Sequence, residues 1–341
     1  MKKIISFLNT DIKIINSYFL FTIVLIILVC IGYSSYALFS FTKTSTNIIE
    51  ATVGELKKSG ADTLIKLTDN KDNSGLYTIT HVKDSTLQIG NDKDITEYRY
   101  RGASPKNYVT FNNEVWRIIG VFPTDDGNGN IENRIKLIRN ESIGTYSIWN
   151  EDGSNNWARP ATLNTELNTT YLNSLDSTSK SMIGQAKYYL GGKNVTYNNG
   201  YVDTPLQFYS YERKIQNTTS NEFYNGTNPN SWVGKLGLMY ASDYGYASSN
   251  CENKRMYDKN SSSNDIRTCN NTNWLYSNAI EWLLPQHARF DDAAFGVMSG
   301  GDVRSLDVYL SYDVRPVLYL KSNVKITGGD GTSANPYTFG L

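Results

Sequence analysis

The chain has 341 residues, a formal net charge of zero and only 19% charged residues. No basic excess is available for phosphate contacts, so a nucleic-acid partner held by its backbone is excluded. The length allows a membrane segment, a spacer and one domain of about two hundred residues or more. Polarity rests on Asn, Ser, Thr and Tyr, a bias that an AT-rich genome would also produce.

At the amino terminus Lys2, Lys3 and Lys13 precede an apolar run from Tyr18 to Ile31, and no charge appears between Lys13 and Lys43. The uncharged stretch is long enough to span a bilayer, so residues 16–41 are expected to be a transmembrane signal-anchor in contact with lipid. The lysines should stay inside and everything after the segment should lie outside the cytoplasm. The second reading is a signal peptide cleaved near Ala37, after the small-x-small sequence Ser35-Tyr36-Ala37, which would release a secreted protein. Val29 ahead of Cys30 argues against lipidation. Residues 42–93 read as a spacer: a short helix within 48–67, then short strands broken by DNKDNSG and NDKD.

The next run, NYVTFNNEVWRIIGVFPTDDGNGNIENRIKLIRN, has the clearest local logic. Tyr108–Phe111 and Glu114–Phe122 are strands joined by Asn112-Asn113, because Asn tolerates the positive φ of a tight hairpin. Arg134–Arg139 is a third strand, with Ile135 and Leu137 alternating against Arg134 and Lys136. Asp125-Asp126 with GNGN loosely resembles a calcium loop but sits between two strands, and a hairpin turn is the better reading. Farther on, Leu163, Leu167, Tyr171, Leu172 and Leu175 form one apolar stripe of an amphipathic helix packed on the sheet. Trp232–Tyr240 reads as a buried strand. Phe295–Ser299 and Val303–Leu310 flank Gly300-Gly301-Asp302, a second hairpin, and Arg315–Leu320 is a late strand. The expected fold is therefore α+β: a transmembrane helix, a spacer, then at 94–341 a mostly antiparallel extracytoplasmic domain. That domain should carry one or two helices and long loops between about 190 and 275. The absence of βαβ alternation excludes a doubly wound sheet.

The blocks NYVTFNNEVWRIIGVF, NNWARPATLN, KLGLMYASDYGYAS, NWLY, EWLLP, DVRPVLYL and GDGTSANPY, in that order, resemble a set of uncharacterised surface proteins of Gram-positive-type bacteria and their wall-less relatives. The resemblance covers roughly residues 75–341. More loosely, the pattern is similar to C-type-lectin-like domains of the formylglycine-generating-enzyme subclass. It implies a mixed α+β fold with long surface loops and no particular ligand. The Glu-Pro-Asn, Gln-Pro-Asp and Trp-Asn-Asp triplets of calcium-dependent sugar lectins are missing.

No catalytic set stands out. His81 and His287 are the two histidines. There is no Gly-x-Ser-x-Gly, no phosphate-binding glycine loop, no H-E-x-x-H and no CxxC. No catalytic residue, metal or cofactor is expected. Cys251 and Cys269 bracket a polar insertion in a chain read as exported, which points to a disulfide. Two free thiols are the alternative, and a copper site like that of the formylglycine-generating oxidase is a third reading. The loop between them reads as too polar to pack on itself and is expected on the recognition face. Arg117 and Arg315, inside apolar strands, are expected to be structural arginines paired with carboxylates or carbonyls. Tyr240, Asp243, Tyr244, Tyr246, Tyr257 and Tyr276 are the expected ligand platform, since Tyr offers a flat apolar body with a polar tip. The function expected from these features is a membrane-anchored, adhesin-like surface protein that binds a glycan or a protein without catalysis. The alternatives are a wall- or glycan-modifying enzyme with an unfamiliar site and a structural surface subunit.

Overall fold

The computed structural model describes residues 16, 21–23, 25–26, 58–70, 74–84, 93–144, 147–156, 160–192, 203–213, 229–288 and 290–341. They fall into two units, Met1–Lys58 and Ser59–Leu341. In the first, the described residues within the expected anchor are helical and exposed. Among the described residues no helix is long and apolar enough to cross a membrane. The rest of 16–41, Ala37 included, lies outside the described residues.

The second unit opens with a helix, Gly60–Ile65, started by a capping box between Ser59 and Asp62. Strands follow at β1 (Leu76–His81), β2 (Ile95–Tyr100), β3 (Tyr108–Phe111), β4 (Glu114–Asp125), β5 (Ile131–Arg139) and β6 (Ser147–Ile148). A helical stretch then runs from Thr162–Glu166 through a π turn, Leu167–Tyr171, to Leu172–Ser174, ahead of a helix at Ser177–Met182. Next come β7 (Ala186–Tyr189), a helix at Pro205–Glu212, β8 (Ser231–Gly234), β9 (Leu236–Gly237) and a helix at Ala241–Tyr246. After a 3-10 turn at Ile266–Thr272 the chain forms β10 (Glu281–Gln286), β11 (Ala293–Val297), β12 (Val303–Asp307) and β13 (Ser311–Tyr312). It closes with β14 (Val317–Tyr319), β15 (Lys325–Gly328) and β16 (Thr338–Gly340). This is a mixed α+β architecture whose described sheets are antiparallel.

The main sheet has the order β1-β2-β4-β5-β14-β9, with β3 paired to β4. A second sheet, β10-β11-β12, and three two-stranded ribbons pack around it. The expected meander is present. Asn112 and Asn113 take φ of 54° and 56° and join β3 to β4. On β4 every residue from Trp116 to Phe122 is buried, so this strand is covered on both faces, and all but Arg117 in that run are apolar. A register shift falls between Ile118 and Gly120. A Cβ at Gly120 would lie 2.1 Å from the Tyr98 carbonyl oxygen, so only glycine lets β2 lie this close.

The expected helical stripe buries Leu163, Leu167 and Leu175, with Tyr171 and Leu172 packed at its margin. The Gly300-Gly301 hairpin joins β11 to β12. The helix at 60–65 and β1, both within the 42–93 stretch, belong to the compact unit. Leu64 and Leu76 enter the core, and β1 pairs with β2 over its whole length.

Two local expectations need correction. Trp232–Tyr240 is not one strand: β8 pairs with β7, whereas β9 joins the main sheet. The side chain of Asn168 accepts the N–H groups of Lys235 (3.2 Å) and Leu236 (3.0 Å), which diverts the chain between the two. Cys251 and Cys269 lie in disulfide geometry, with Cα atoms 6.4 Å apart. The loop between them, however, does pack on itself. Met256 and Ile266 are buried, and the buried carboxylates of Asp258 and Asp265 are satisfied by Arg255, Asn260, Ser262 and Arg267. Polar groups that bond one another inside the loop remove the cost of burying Asp258 and Asp265, while Lys259, Asn260 and Asn264 stay exposed at the surface as expected.

Trp116 is fully buried and meets Phe111 edge to face at 5.6 Å. Its replacement by Ala should cost about 3–5 kcal/mol in chemical denaturation. A loss under about 1 kcal/mol would mean that the core closes around the missing ring.

Candidate functional site

Alternation along β2 puts Glu97 and Arg99 on the same face of the sheet. Both are buried, and Arg99 Nε and Nη2 donate to Glu97 Oε2 at 3.0 and 2.7 Å. Arg99 Nη1 reaches across to Asp243 Oδ1 at 2.8 Å. The other oxygen of Asp243 accepts from Lys136 Nζ, which comes from β5, and from the Tyr240 N–H at 2.9 Å. Asp243 thus caps its own helix while binding two cations. Glu97 also meets His81 Nε2 at 3.1 Å and accepts the Tyr209 hydroxyl at 2.9 Å. The imidazole stacks on the Tyr209 ring at 3.6 Å.

This is a buried ion network, and its electrostatics follow from competing terms. Burial opposes ionisation of Glu97, but Arg99 and the His81 hydrogen bond outweigh it and hold the carboxyl well below the usual range. Burial likewise opposes the Asp243 carboxylate, and Lys136 with Arg99 overcomes it. Burial lowers the Lys136 ammonium, and Asp243 only partly restores it. Burial lowers His81 as well, so its ring is neutral near pH 7.

Glu212, at the end of the helix Pro205–Glu212, behaves differently. Burial pushes its carboxyl up to about 7, and Arg213 and its bonds from Ser242 offset this only in part. Arg213 lies with its guanidinium carbon 3.6 Å from the centre of the Tyr209 ring, and Nη1 donates to Glu212 Oε2 at 3.2 Å.

Over this network opens a cavity of about 360 Å³. Its walls are Phe122, Tyr189, Tyr209, Tyr240 and Tyr319, with Glu97 and Arg213 at the charged end. The Tyr240 hydroxyl exchanges hydrogen bonds with the Tyr189 backbone, accepting at 2.7 Å and donating at 3.1 Å, which fixes two walls against each other. Ile95, Pro123, Thr124 and Ile131 add to the lining. Lys187 and Asp125 also line it, as a pair 3.9 Å apart. Among the described residues no three His, Cys, Asp or Glu side chains converge as a metal-binding group.

The expected platform is not a solvent-facing surface. Tyr240, Asp243, Tyr244 and Tyr246 are all buried, because every residue of Ala241–Tyr246 packs inside the domain. Tyr240 and Asp243 belong to the cavity wall and the network. Tyr244 donates to the Gly301 carbonyl at 2.8 Å, and Tyr246 packs beside His81 and Arg99. Tyr257 lies beneath Arg304, and Tyr276 donates to the Ser299 carbonyl at 2.7 Å. Neither lines the cavity. Arg315 forms a two-pronged bond to Glu281, both distances 2.7 Å, and also donates to the Leu275 carbonyl. Among the described residues Arg117 has no carboxylate partner; its Nε donates to Asn107 Oδ1 at 2.6 Å and its guanidinium lies over the Tyr108 and Trp274 rings.

Sequence reading missed Glu97, Arg99, Lys136, Glu212, Arg213 and three of the tyrosine walls. One usable signal existed. In RIKLIR the lysine sits inside a strand with an apolar residue on each side, where a covered sheet would have to bury it. Family models, curated proteins and solved structures contain no match to this chain.

Removing Asp243 leaves Arg99 and Lys136 buried without their shared anion. Asp243→Ala should therefore cost about 3–5 kcal/mol in chemical denaturation. A near-neutral result would show that the cations relax to solvent.

Glu212 makes stability depend on pH. Its carboxyl is raised in the folded chain above the ordinary 4.5, so the folded state keeps a proton that the unfolded state releases. Its contribution is fully present below about pH 4.5 and is lost as pH rises through about 7. The span corresponds to roughly 3 kcal/mol at most. In thermal unfolding, Glu212→Gln should flatten the decline between these limits, and an unchanged slope would assign that decline to other groups.

Proposed function

We propose that this is a membrane-anchored, extracytoplasmic recognition protein that binds a saccharide in the tyrosine-walled cavity, with residues 16–41 as its anchor. The observation that carries the reading is the cavity, about 360 Å³ and walled by four tyrosines and a phenylalanine. That volume is at the small end of ligand sites and suits a ring rather than a protein surface. Tyrosine faces stack against the C–H face of a sugar ring while their hydroxyls meet its hydroxyl groups. The hydroxyls of Tyr189 and Tyr319 carry no hydrogen bond among the described residues and are left for a ligand.

The buried carboxylates Glu97 and Glu212 favour binding over chemistry. Glu97 lines the cavity, but both of its oxygens are already engaged by Arg99, His81 and Tyr209. Glu212 has a carboxyl suited to proton transfer, yet it is held by Ser242 and does not line the cavity. A general acid or base must reach the substrate, and neither group is presented to one. The anchor rests on the uncharged run between Lys13 and Lys43.

The test is a glycan-array screen of the full chain in detergent, followed by titration of each hit. At least one saccharide class should bind, and Tyr189→Ala should weaken it about tenfold while thermal stability changes little. An array without hits, or a hit untouched by Tyr189→Ala, would contradict the reading.

A further inference from the structure

Building on the saccharide reading, we propose that the cavity selects an acidic saccharide, whose carboxylate pairs with the Nε–Nη2 edge of Arg213. Among the described residues, the arginines of this region are used in different ways. Arg99 commits Nε, Nη1 and Nη2 to carboxylates. Arg213 commits only Nη1, to Glu212 and to the Tyr209 carbonyl. Its Nη2 forms an ion pair with Glu97 Oε1 at 3.8 Å without a hydrogen bond, and its Nε has no hydrogen-bond partner among the described residues.

This guanidinium is not free in bulk water. Its side chain is only 14% exposed, and it lies over the Tyr209 ring with Tyr240 and Tyr189 at 5.2 and 5.8 Å. Stacking fixes the plane of the fork without using its in-plane donors. A planar fork with Nε and one terminal nitrogen open presents two parallel N–H groups, the geometry that a carboxylate accepts in pairs. Vicinal hydroxyls of a neutral sugar accept from the same pair, but without the charge that makes a carboxylate bond shorter and stronger. A ligand oxyanion on this edge would exchange its water for charge-assisted hydrogen bonds, which are the stronger kind.

The charges around the site agree. Arg213 keeps its charge, while the carboxyl it bonds, Glu212, is raised to about 7 and so balances it only in part near neutral pH. Glu97 is already bonded by Arg99. Lys187 is accompanied by Asp125, and Lys93 and Asp94 line the cavity with opposite charges. Arg213 is the network cation that lines the cavity.

The experiment is calorimetric titration of the full chain with glucuronate, galacturonate and N-acetylneuraminate, beside glucose and galactose. At least one acidic sugar should bind about tenfold or more tighter than the neutral sugars. Arg213→Gln should bring acidic and neutral ligands close to parity. Arg213→Lys, which keeps the charge and loses the fork, should retain only part of the preference. Equal binding of acidic and neutral sugars would overturn this inference and leave the saccharide reading standing, as would a preference unchanged in Arg213→Gln. Binding of neither kind would overturn both. The comparison on the unaltered protein decides the matter even if a variant fails to fold.

Discussion

The two carboxylates Glu97 and Asp243, both buried and joined through Arg99, are the constraint that the rest of the structure depends on. Burying an ion costs several kcal/mol unless its partners sit in good geometry, so the elements carrying those partners have little freedom. Glu97 and Arg99 fix β2. Lys136 fixes β5 against the helix Ala241–Tyr246, and Tyr209 fixes the helix Pro205–Glu212. Such a network is weak evidence for net stability, because apolar residues of similar volume could fill the same space. Its effect is on arrangement: two helices and two strands are held in one register by groups that cannot be left unpaired.

The cavity is a consequence of this arrangement. Asp243 takes the Tyr240 N–H, and this contact starts the short helix and turns the Tyr240 ring toward Lys136, whose ammonium lies 4.5 Å from the ring centre. The same ring anchors β7 through the Tyr189 backbone. Tyr209 is held between Glu97, His81 and Arg213. Three of the walls are therefore fixed by polar contacts to neighbouring groups. A pocket built this way keeps its shape before a ligand arrives and loses less entropy on binding.

How much of this could be read in the sequence depended on distance along the chain. The β3–β4 hairpin was legible because Asn112 and Asn113 settle it locally. The helix after Thr162 was legible because its leucines recur at a helical spacing, and the β11–β12 hairpin because two glycines mark it. The network was not, since Arg99 and Asp243 are 144 positions apart and Lys136 and Asp243 are 107 apart. Local alternation set Lys136 against the apolar face of its strand, but the sheet is covered on both faces and the lysine is buried. The helix Ala241–Tyr246 was not legible for a related reason. At six residues it is too short to show a period, and its burial depends on partners that only the fold supplies. Tyr240 and Asp243 were singled out as surface groups, and their actual role is in the wall and in the charge behind it.

The account's central claim is that ligand recognition is located in this cavity, above the ion network, and not on the loop between Cys251 and Cys269. Hydrogen exchange of the full chain, with and without a saturating saccharide, tests this most directly. The account predicts new protection at residues 94–97, 122–125, 187–189 and 209–213, with no change at 251–269. Protection confined to 251–269, with the cavity segments unchanged, would contradict it.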